Sequence, residues 1–199
     1  MKSIDVKGTA RPNTGKKASR EIRKAGAVPC NLYGEAKGEN GLPLALSFTA
    51  TQEELRKLVY TPDIYSVNLN IDGKECKAVM KELQFHPVTD ALLHVDFYEI
   101  TETKPIVMEV PIKLNGLAEG VRAGGKLAAS VRKLKVKAPY TAIPEKLNID
   151  VTNLGLGKTI KVGELSFEGL ELVTSPSVVV CQVKMTRSAM SAAAKASEE

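Results

Sequence analysis

His94 and Asp96 stand two residues apart in Leu92–Ile100, a stretch whose composition suits a β-strand. On a strand, that spacing sets an imidazole and a carboxylate on one face. Such a pair can hydrogen-bond base edges or ribose 2′-hydroxyls. Gln84 adds an amide from a neighbouring stretch, and Tyr33, at the end of another strand pattern, can stack or donate a hydrogen bond. The plainer reading of the same residues is a polar pair on a half-solvated sheet.

Catalysis finds less material. The only other histidine, His86, precedes His94 by eight residues, about 26 Å along a straight strand, so the rings meet only if Pro87-Val-Thr-Asp90 makes a turn. Neither histidine adjoins a serine or cysteine nucleophile pattern, and Asp90 and Asp96 are not spaced like a zinc module. The glycine-rich stretch Gly116–Gly125 holds neither a P-loop nor a dinucleotide fingerprint and reads as a flexible loop between strands. The sequence therefore predicts no catalytic residues, no metal and no cofactor. The rival reading is a small β-barrel enzyme or ligand-binding protein using His86, His94 and the 116–125 loop.

Charge points the same way as the His–Asp pair. Within residues 1–24, Lys2, Lys7, Arg11, Lys16, Lys17, Arg20, Arg23 and Lys24 stand against Asp5 and Glu21, a net +6 in a chain of net +5. A concentrated basic start on a nearly neutral body suits a polyanion, whose phosphates release counterions on contact. A solvated helix face would show the same composition. A second basic strip, Arg132, Lys133, Lys135 and Lys137, lies in a span without acids from Arg122 to Lys137. It reads as lysines guarding an edge strand against aggregation.

The elements that must position these groups are mostly strands. With 199 residues, 43% of them hydrophobic and 26% charged, the chain has room for two domains and is not wholly disordered. No apolar run approaches a membrane span. The start Met1-Lys-Ser-Ile-Asp-Val lacks a signal-peptide core, and three scattered cysteines, Cys30, Cys76 and Cys181, suit buried thiols in a reducing compartment. A cytoplasmic protein is expected.

Ser3–Ala10 reads as a strand, Arg11–Gly15 as a loop, and Lys16–Ala25 as a helix with Ala18, Ile22 and Ala25 as its apolar stripe and Lys16, Arg20, Arg23 and Lys24 opposite. Gly26 and Pro29 stop it. Val28–Tyr33 and Leu42–Phe48 read as strands about the glycine-rich Gly34–Gly41. Thr51-Gln-Glu-Glu54 is a capping box opening a helix buried through Leu55, Leu58 and Val59. Tyr65–Ile71 and Glu75–Leu83 form a hairpin about Asp72-Gly73, and Leu92–Ile100 is a further strand. The fold class expected is mainly β with a few short helices, a small N-terminal barrel over residues 1–100 and a second β-rich domain over 101–187. The second domain should use strands near 107–114, 131–136, 147–151, 158–162 and 177–183. The Ala/Ser-rich tail, 188–199, is expected to fray or be disordered.

Taken together, Gly15-Lys-Lys-Ala-Ser-Arg-Glu-Ile-Arg23, Pro29-x-x-x-Tyr33-Gly34 and Leu83-Gln-Phe-His-Pro-Val-Thr-Asp-x-x-x-His94-Val-Asp-Phe-Tyr98 resemble a known family. It is the bacterial large-subunit ribosomal protein that binds 5S ribosomal RNA, in its long two-domain form, the general stress protein Ctc type. The likeness covers nearly the whole first domain. It continues more loosely through Val110-Pro-Ile, Gly116–Gly125 and Ile143-Pro-Glu. The resemblance implies an RNA-binding barrel that docks on an internal loop of 5S rRNA in the central protuberance region. It implies Arg11, Lys16, Ser19, Arg20, Arg23, Tyr33, Gln84, His94 and Asp96 as the RNA-touching residues. It also implies the large subunit as the assembly, with neighbouring ribosomal proteins or 23S rRNA reached through the second domain, and no membrane. Glu21 and Phe85 stand where single-domain members often carry a basic residue; at Phe85 a charge is exchanged for packing or stacking.

Overall fold

The computed structural model describes residues 2–37, 43–101 and 104–186. The expectation for the tail 188–199, and part of that for the Gly34–Gly41 turn, lie outside the described residues. The chain divides into two compact units, Met1–Lys104 and Pro105–Glu199.

The first unit runs β1 (Lys2–Ala10), α1 (Lys16–Lys24), β2 (Ala27–Lys37), β3 (Pro43–Thr51), α2 (Gln52–Val59), β4 (Tyr65–Ile71), β5 (Lys74–Phe85) and β6 (Leu92–Glu99). Its strands close into a barrel in the order β1-β3-β2-β6-β5-β4. Closure abolishes the exposed edges that an open sheet must otherwise protect. Two seams are parallel: β1 with β4, Lys2 opposite Tyr65 through Gly8 opposite Ile71, and β2 with β6, Cys30 opposite Val95 through Tyr33 opposite Tyr98. The remaining seams are antiparallel.

Period-two alternation dictates which side chains enter the barrel. Val28, Cys30 and Leu32 of β2, Val67, Leu69 and Ile71 of β4, and Val95 and Phe97 of β6 point in, while Asn31, Asn68, His94 and Asp96 occupy the alternate positions. Phe48 and Phe97 form the centre, ring centroids 5.7 Å apart. Leu55 and Leu58 of α2 join the same core. Thr51 caps that helix, its Oγ1 accepting from the Glu54 amide at 3.4 Å. The Asp72-Gly73 hairpin has the two positive φ angles, 48° and 86°, of a primed turn matched to strand twist.

The second unit comprises β7 (Pro105–Asn115), α3 (Glu119–Arg122), β8 (Lys126–Ala129), β9 (Lys133–Pro139), β10 (Leu147–Asp150), β11 (Thr159–Lys161), β12 (Glu171–Leu172) and β13 (Val179–Lys184). They form a four-stranded sheet, β10-β7-β9-β12, and a three-stranded sheet, β11-β13-β8. Ile106, Met108 and Val110 alternate into the core against Leu134, Val136 and Ala138.

Four expectations need correction. Ala25 is exposed as the cap after α1, so the apolar stripe of the helix reduces to half-buried Ala18 and Ile22. The 116–125 stretch is not a flexible loop. It carries α3, and its backbone is tied by Gly120 N–H to Leu154 O at 2.9 Å and Gly125 N–H to Gly120 O at 2.8 Å. β9 is not an edge strand, because β7 flanks it on one side and short β12 on the other. Cys76 is only half-buried, whereas Cys30 and Cys181 are buried; all three thiols are free.

A packing constraint against the barrel core falls at Gly8, where a Cβ would come within 2.5 Å of the Phe48 ring. That ring is fully buried and has no slack. Gly8→Ala is therefore expected to lower unfolding free energy by about 1–3 kcal/mol in urea titration. The exposed neighbour change Lys7→Ala should stay within about 0.5 kcal/mol.

Candidate nucleic-acid interface

The outer face of β5, β6, β2 and β3 gathers groups drawn from the first hundred residues. Gln84 lies directly across from His94, and Glu82 across from Asp96. On the other side of β6, Asp96 is in register with Asn31 and Tyr98 with Tyr33. Asn31 in turn faces Ser47 on β3. The face is thus a continuous polar row, Glu82–Asp96–Asn31–Ser47, bordered by Gln84–His94 on one side and Tyr98–Tyr33 on the other.

Local bonds hold the row rigid. Ser47 Oγ donates to Asn31 Oδ1 at 3.1 Å, and Asn31 Nδ2 donates to the Tyr33 hydroxyl at 3.4 Å. Lys81 lies over the Tyr98 ring, its Nζ 5.4 Å from the centroid. Sequence reasoning did not find Asn31, Ser47, Tyr98 or Lys81. Only strand order places them beside the expected residues, although the Tyr33-to-Tyr98 register follows once β2 is known to pair with β6.

One side-chain hydrogen bond ties the basic segment to this face, and another ties the segment to itself. The Arg11 guanidinium donates through Nη1 to Ser19 Oγ at 3.3 Å, joining the loop to half-buried Ser19 on α1. The Arg23 guanidinium donates through Nε to the carbonyl oxygen of Leu93 at 3.0 Å, clamping the end of α1 to β6 beside His94. Arg23 is therefore a tether as well as a charge, using one of five guanidinium donors and keeping the rest. Lys16 and Arg20 are exposed on α1. All nine expected residues lie in the first unit: Arg23 ties α1 to the barrel, Arg11 and Ser19 tie the preceding loop to α1, and Gln84, His94, Asp96 and Tyr33 form the polar face. Lys16 and Arg20 extend from the tethered helix.

The electrostatics of the pair are specific. His94 Nδ1 lies 3.5 Å from Asp96 Oδ1, with both side chains only 17% exposed. That distance is too long for a good hydrogen bond. Asp96 Oδ1 is buried without a hydrogen-bonding partner, and so is Arg11 Nε. Burial holds the His94 pKa below its ordinary value; Asp96 opposes that shift, while Arg11 and Arg23 reinforce it. The ring is therefore neutral near pH 7. Its proton belongs on Nδ1, facing the carboxylate, which leaves Nε2 as an acceptor. The face thus offers carboxylate and imidazole acceptors, an amide, a phenol and guanidinium donors in one patch, the mixture that reads 2′-hydroxyls, base edges and phosphates.

His86 does not join His94. Its Nδ1 accepts from the Val88 and Thr89 amides at 3.3 and 3.2 Å, and its backbone bonds Ala91 and Asp90, so the ring caps the 86–91 turn. Among the described residues, no group of three or more His, Cys, Asp or Glu could hold a metal ion. Burial pushes the Cys30 thiol up to about 12, which makes it a poor nucleophile.

In the second unit, the basic strip is partly neutralised. Lys135 Nζ lies 3.9 Å from Glu109 Oε1, and Lys137 Nζ lies 3.1 Å from Glu171 Oε2. Arg132 and Lys133 are exposed.

The His94 shift has a measurable sign. NMR titration of the ring should give a pKa below 6.5 in the wild type. Asp96→Asn should lower it further, and Arg23→Ala should raise it. Because the unfolded chain takes up this proton more readily, the ring's contribution to stability is intact above pH 6.5 and falls as the pH drops below it. A ring that titrates normally in the folded protein contradicts its burial against these arginines.

Residues 6–97 match the Ribosomal L25p family, and residues 105–187 match the C-terminal domain of ribosomal protein TL5. The chain is 66% identical over 196 residues to the large ribosomal subunit protein bL25 of Phocaeicola vulgatus, spanning 98% of this chain and 99% of that protein. It is 60% identical over 201 residues to the bL25 of Bacteroides thetaiotaomicron, again across 98% and 99% of the two chains. Against the bL25 of Porphyromonas gingivalis the identity is 53% over 196 residues, with the same coverage. A closed barrel, a second β unit and full-length similarity to these proteins lead to one conclusion: the chain belongs to the bacterial bL25 family of large-subunit ribosomal proteins in its long, two-domain form, a structural component of the cytoplasmic ribosome and not an enzyme.

Proposed function

We propose that the first unit binds 5S ribosomal RNA and helps anchor it in the central protuberance region of the large subunit. The observation that carries this reading is the Asp96 carboxylate. One of its oxygens is buried with no hydrogen-bond donor, flanked by His94 and in a row with Glu82 and Asn31, while two tethered arginines stand at its border. A buried acceptor without a partner costs about 1–3 kcal/mol or more. That cost is relieved when the side chain turns to accept from an RNA amino or hydroxyl group. Arg11 Nε is the matching unsatisfied donor, suited to a phosphate.

In this division of labour, Lys16, Arg20 and Arg23 supply sequence-independent phosphate contacts, and Gln84, His94, Asp96 and Tyr33 read the RNA. The second unit adds a less specific contact, through exposed Arg132 and Lys133, with 23S rRNA or a neighbouring ribosomal protein.

Binding of the full chain to 5S rRNA across a salt series separates these roles. Lys16→Ala with Arg20→Ala should weaken binding and flatten the log–log salt slope by about 0.7–0.9 for each phosphate that is no longer neutralised. Asp96→Ala should cost roughly 1–3 kcal/mol of specific affinity and leave the salt slope and binding to unrelated RNA unchanged. An Asp96→Ala protein that binds 5S rRNA more tightly than wild type would falsify the readout role, since a carboxylate that only repels phosphate behaves that way.

A fragment of residues 1–104, which contains the whole closed barrel, should retain most of the affinity. Isothermal titration of that fragment and of residues 105–199 against a 5S rRNA fragment checks this. Tight, specific binding by the second fragment alone would overturn the assignment.

A further inference from the structure

Tyr60 and Phe85 have no part in the core. Tyr60 follows α2 and is 57% exposed; Phe85 ends β5 and is 40% exposed. Their rings nevertheless touch, with centroids 6.4 Å apart and planes tilted by 54°. Two aromatic rings held against each other in water form an apolar surface awaiting a partner.

The position of this pair narrows the choice of partner. Phe85 immediately follows Gln84, the residue opposite His94, and is itself opposite Leu92, one residue from the carbonyl that receives Arg23. Tyr60 lines an open cleft of about 780 Å³ with Gly26, Gln52 and Arg56. The carbonyl of Gly26, two residues beyond α1, accepts the Gln52 amide at 3.4 Å. The aromatic pair is therefore continuous with the basic helix on one side and the polar strand face on the other. Exposed Arg56 lines the cleft beside Tyr60, with Glu53 as the acid of the same lining, and Lys57, the next residue, is exposed on α2. Next to the polar strand face, a stacking pair beside an arginine fits a nucleotide, with its phosphate on Arg56 and its base on a ring.

We infer that the Tyr60–Phe85 pair is a stacking platform for an unpaired base of the bound RNA, with the Arg56 cleft holding the adjoining phosphate. This rests on the RNA-binding reading above and extends its footprint around the barrel end, past Gln84 to α2. It assigns Phe85 an interaction that carries no charge and therefore no salt dependence, unlike that of Lys16 and Arg20.

The chain contains no tryptophan, so Tyr60→Trp introduces a single indole reporter in an otherwise native full-length protein. On titration with 5S rRNA its emission is expected to be quenched, as a base stacks on it. Tyr60→Ala and Phe85→Ala should each weaken binding on the order of ten-fold with the salt slope unchanged, and Tyr60→Phe should restore affinity. Arg56→Ala should weaken binding and also flatten the slope.

If wild type binds 5S rRNA while the indole is unquenched and Tyr60→Ala binds equally well, the platform is overturned and the RNA-binding reading stands. Where wild type itself fails to bind, both fall. A Tyr60→Ala protein that binds 5S rRNA normally but no longer sediments with large subunits also overturns the inference, assigning the surface to a protein. The reporter variant keeps a ring at position 60, so it reads stacking even where an alanine variant unfolds.

Discussion

The parallel seam between β2 and β6 is the pairing on which the rest of the first unit depends. Parallel neighbours cannot be joined by a tight hairpin, so this pairing must be made across the intervening chain of β3, α2, β4 and β5. It sets Asn31 beside Asp96 and Tyr33 beside Tyr98, and it brings the strand that follows α1 against the strand that carries His94. The second parallel seam, β1 with β4, then closes the barrel and leaves Phe48 and Phe97 sealed at its centre. With the core closed, alternation along β6 sends His94 and Asp96 outward onto a surface that cannot shift register without burying them.

That rigidity explains how an underbonded carboxylate persists. Asp96 and His94 are mostly screened from water, yet they meet at 3.5 Å, short of a good hydrogen bond. In a pliable loop the pair would rotate to solvent or close on each other. Here the β2–β6–β5 pairing holds the backbone on both sides, and the Arg23 bond to Leu93 O clamps the helix over the same strand. Burial, with the two arginines, keeps the imidazole neutral, so that the ring acts as an acceptor and not as one more cation.

Distribution of charge matters more than its total. Residues 1–24 carry +6 on a segment anchored at one end of the polar face. The strip on β9 is comparably rich in lysine, but Glu109 and Glu171 stand within ion-pair reach of Lys135 and Lys137. Exposed pairs of this kind add little stability, yet they cancel much of the local potential. The acids responsible lie on β7 and β12, distant in sequence and adjacent only through strand pairing.

Local chemistry determined a good part of this protein. The primed turn at Asp72-Gly73, the Thr51 cap, the stop at Gly26 and the alternation of Val67, Leu69 and Ile71 each follow from a few neighbouring residues. The His94/Asp96 pairing was legible for the same reason, since i and i+2 share a face on any strand. Tertiary structure decided the rest. Ala25 fits the helical stripe but lies beyond the end of the packed face, and α3 and β12 are too short to show a period. That Arg23 tethers the helix, that Asn31 and Ser47 complete the polar row, and that Tyr60 meets Phe85 all depend on residues at least sixteen positions apart being folded together. Periodicity reports which way a side chain points from its own backbone; only strand order and packing determine what stands opposite.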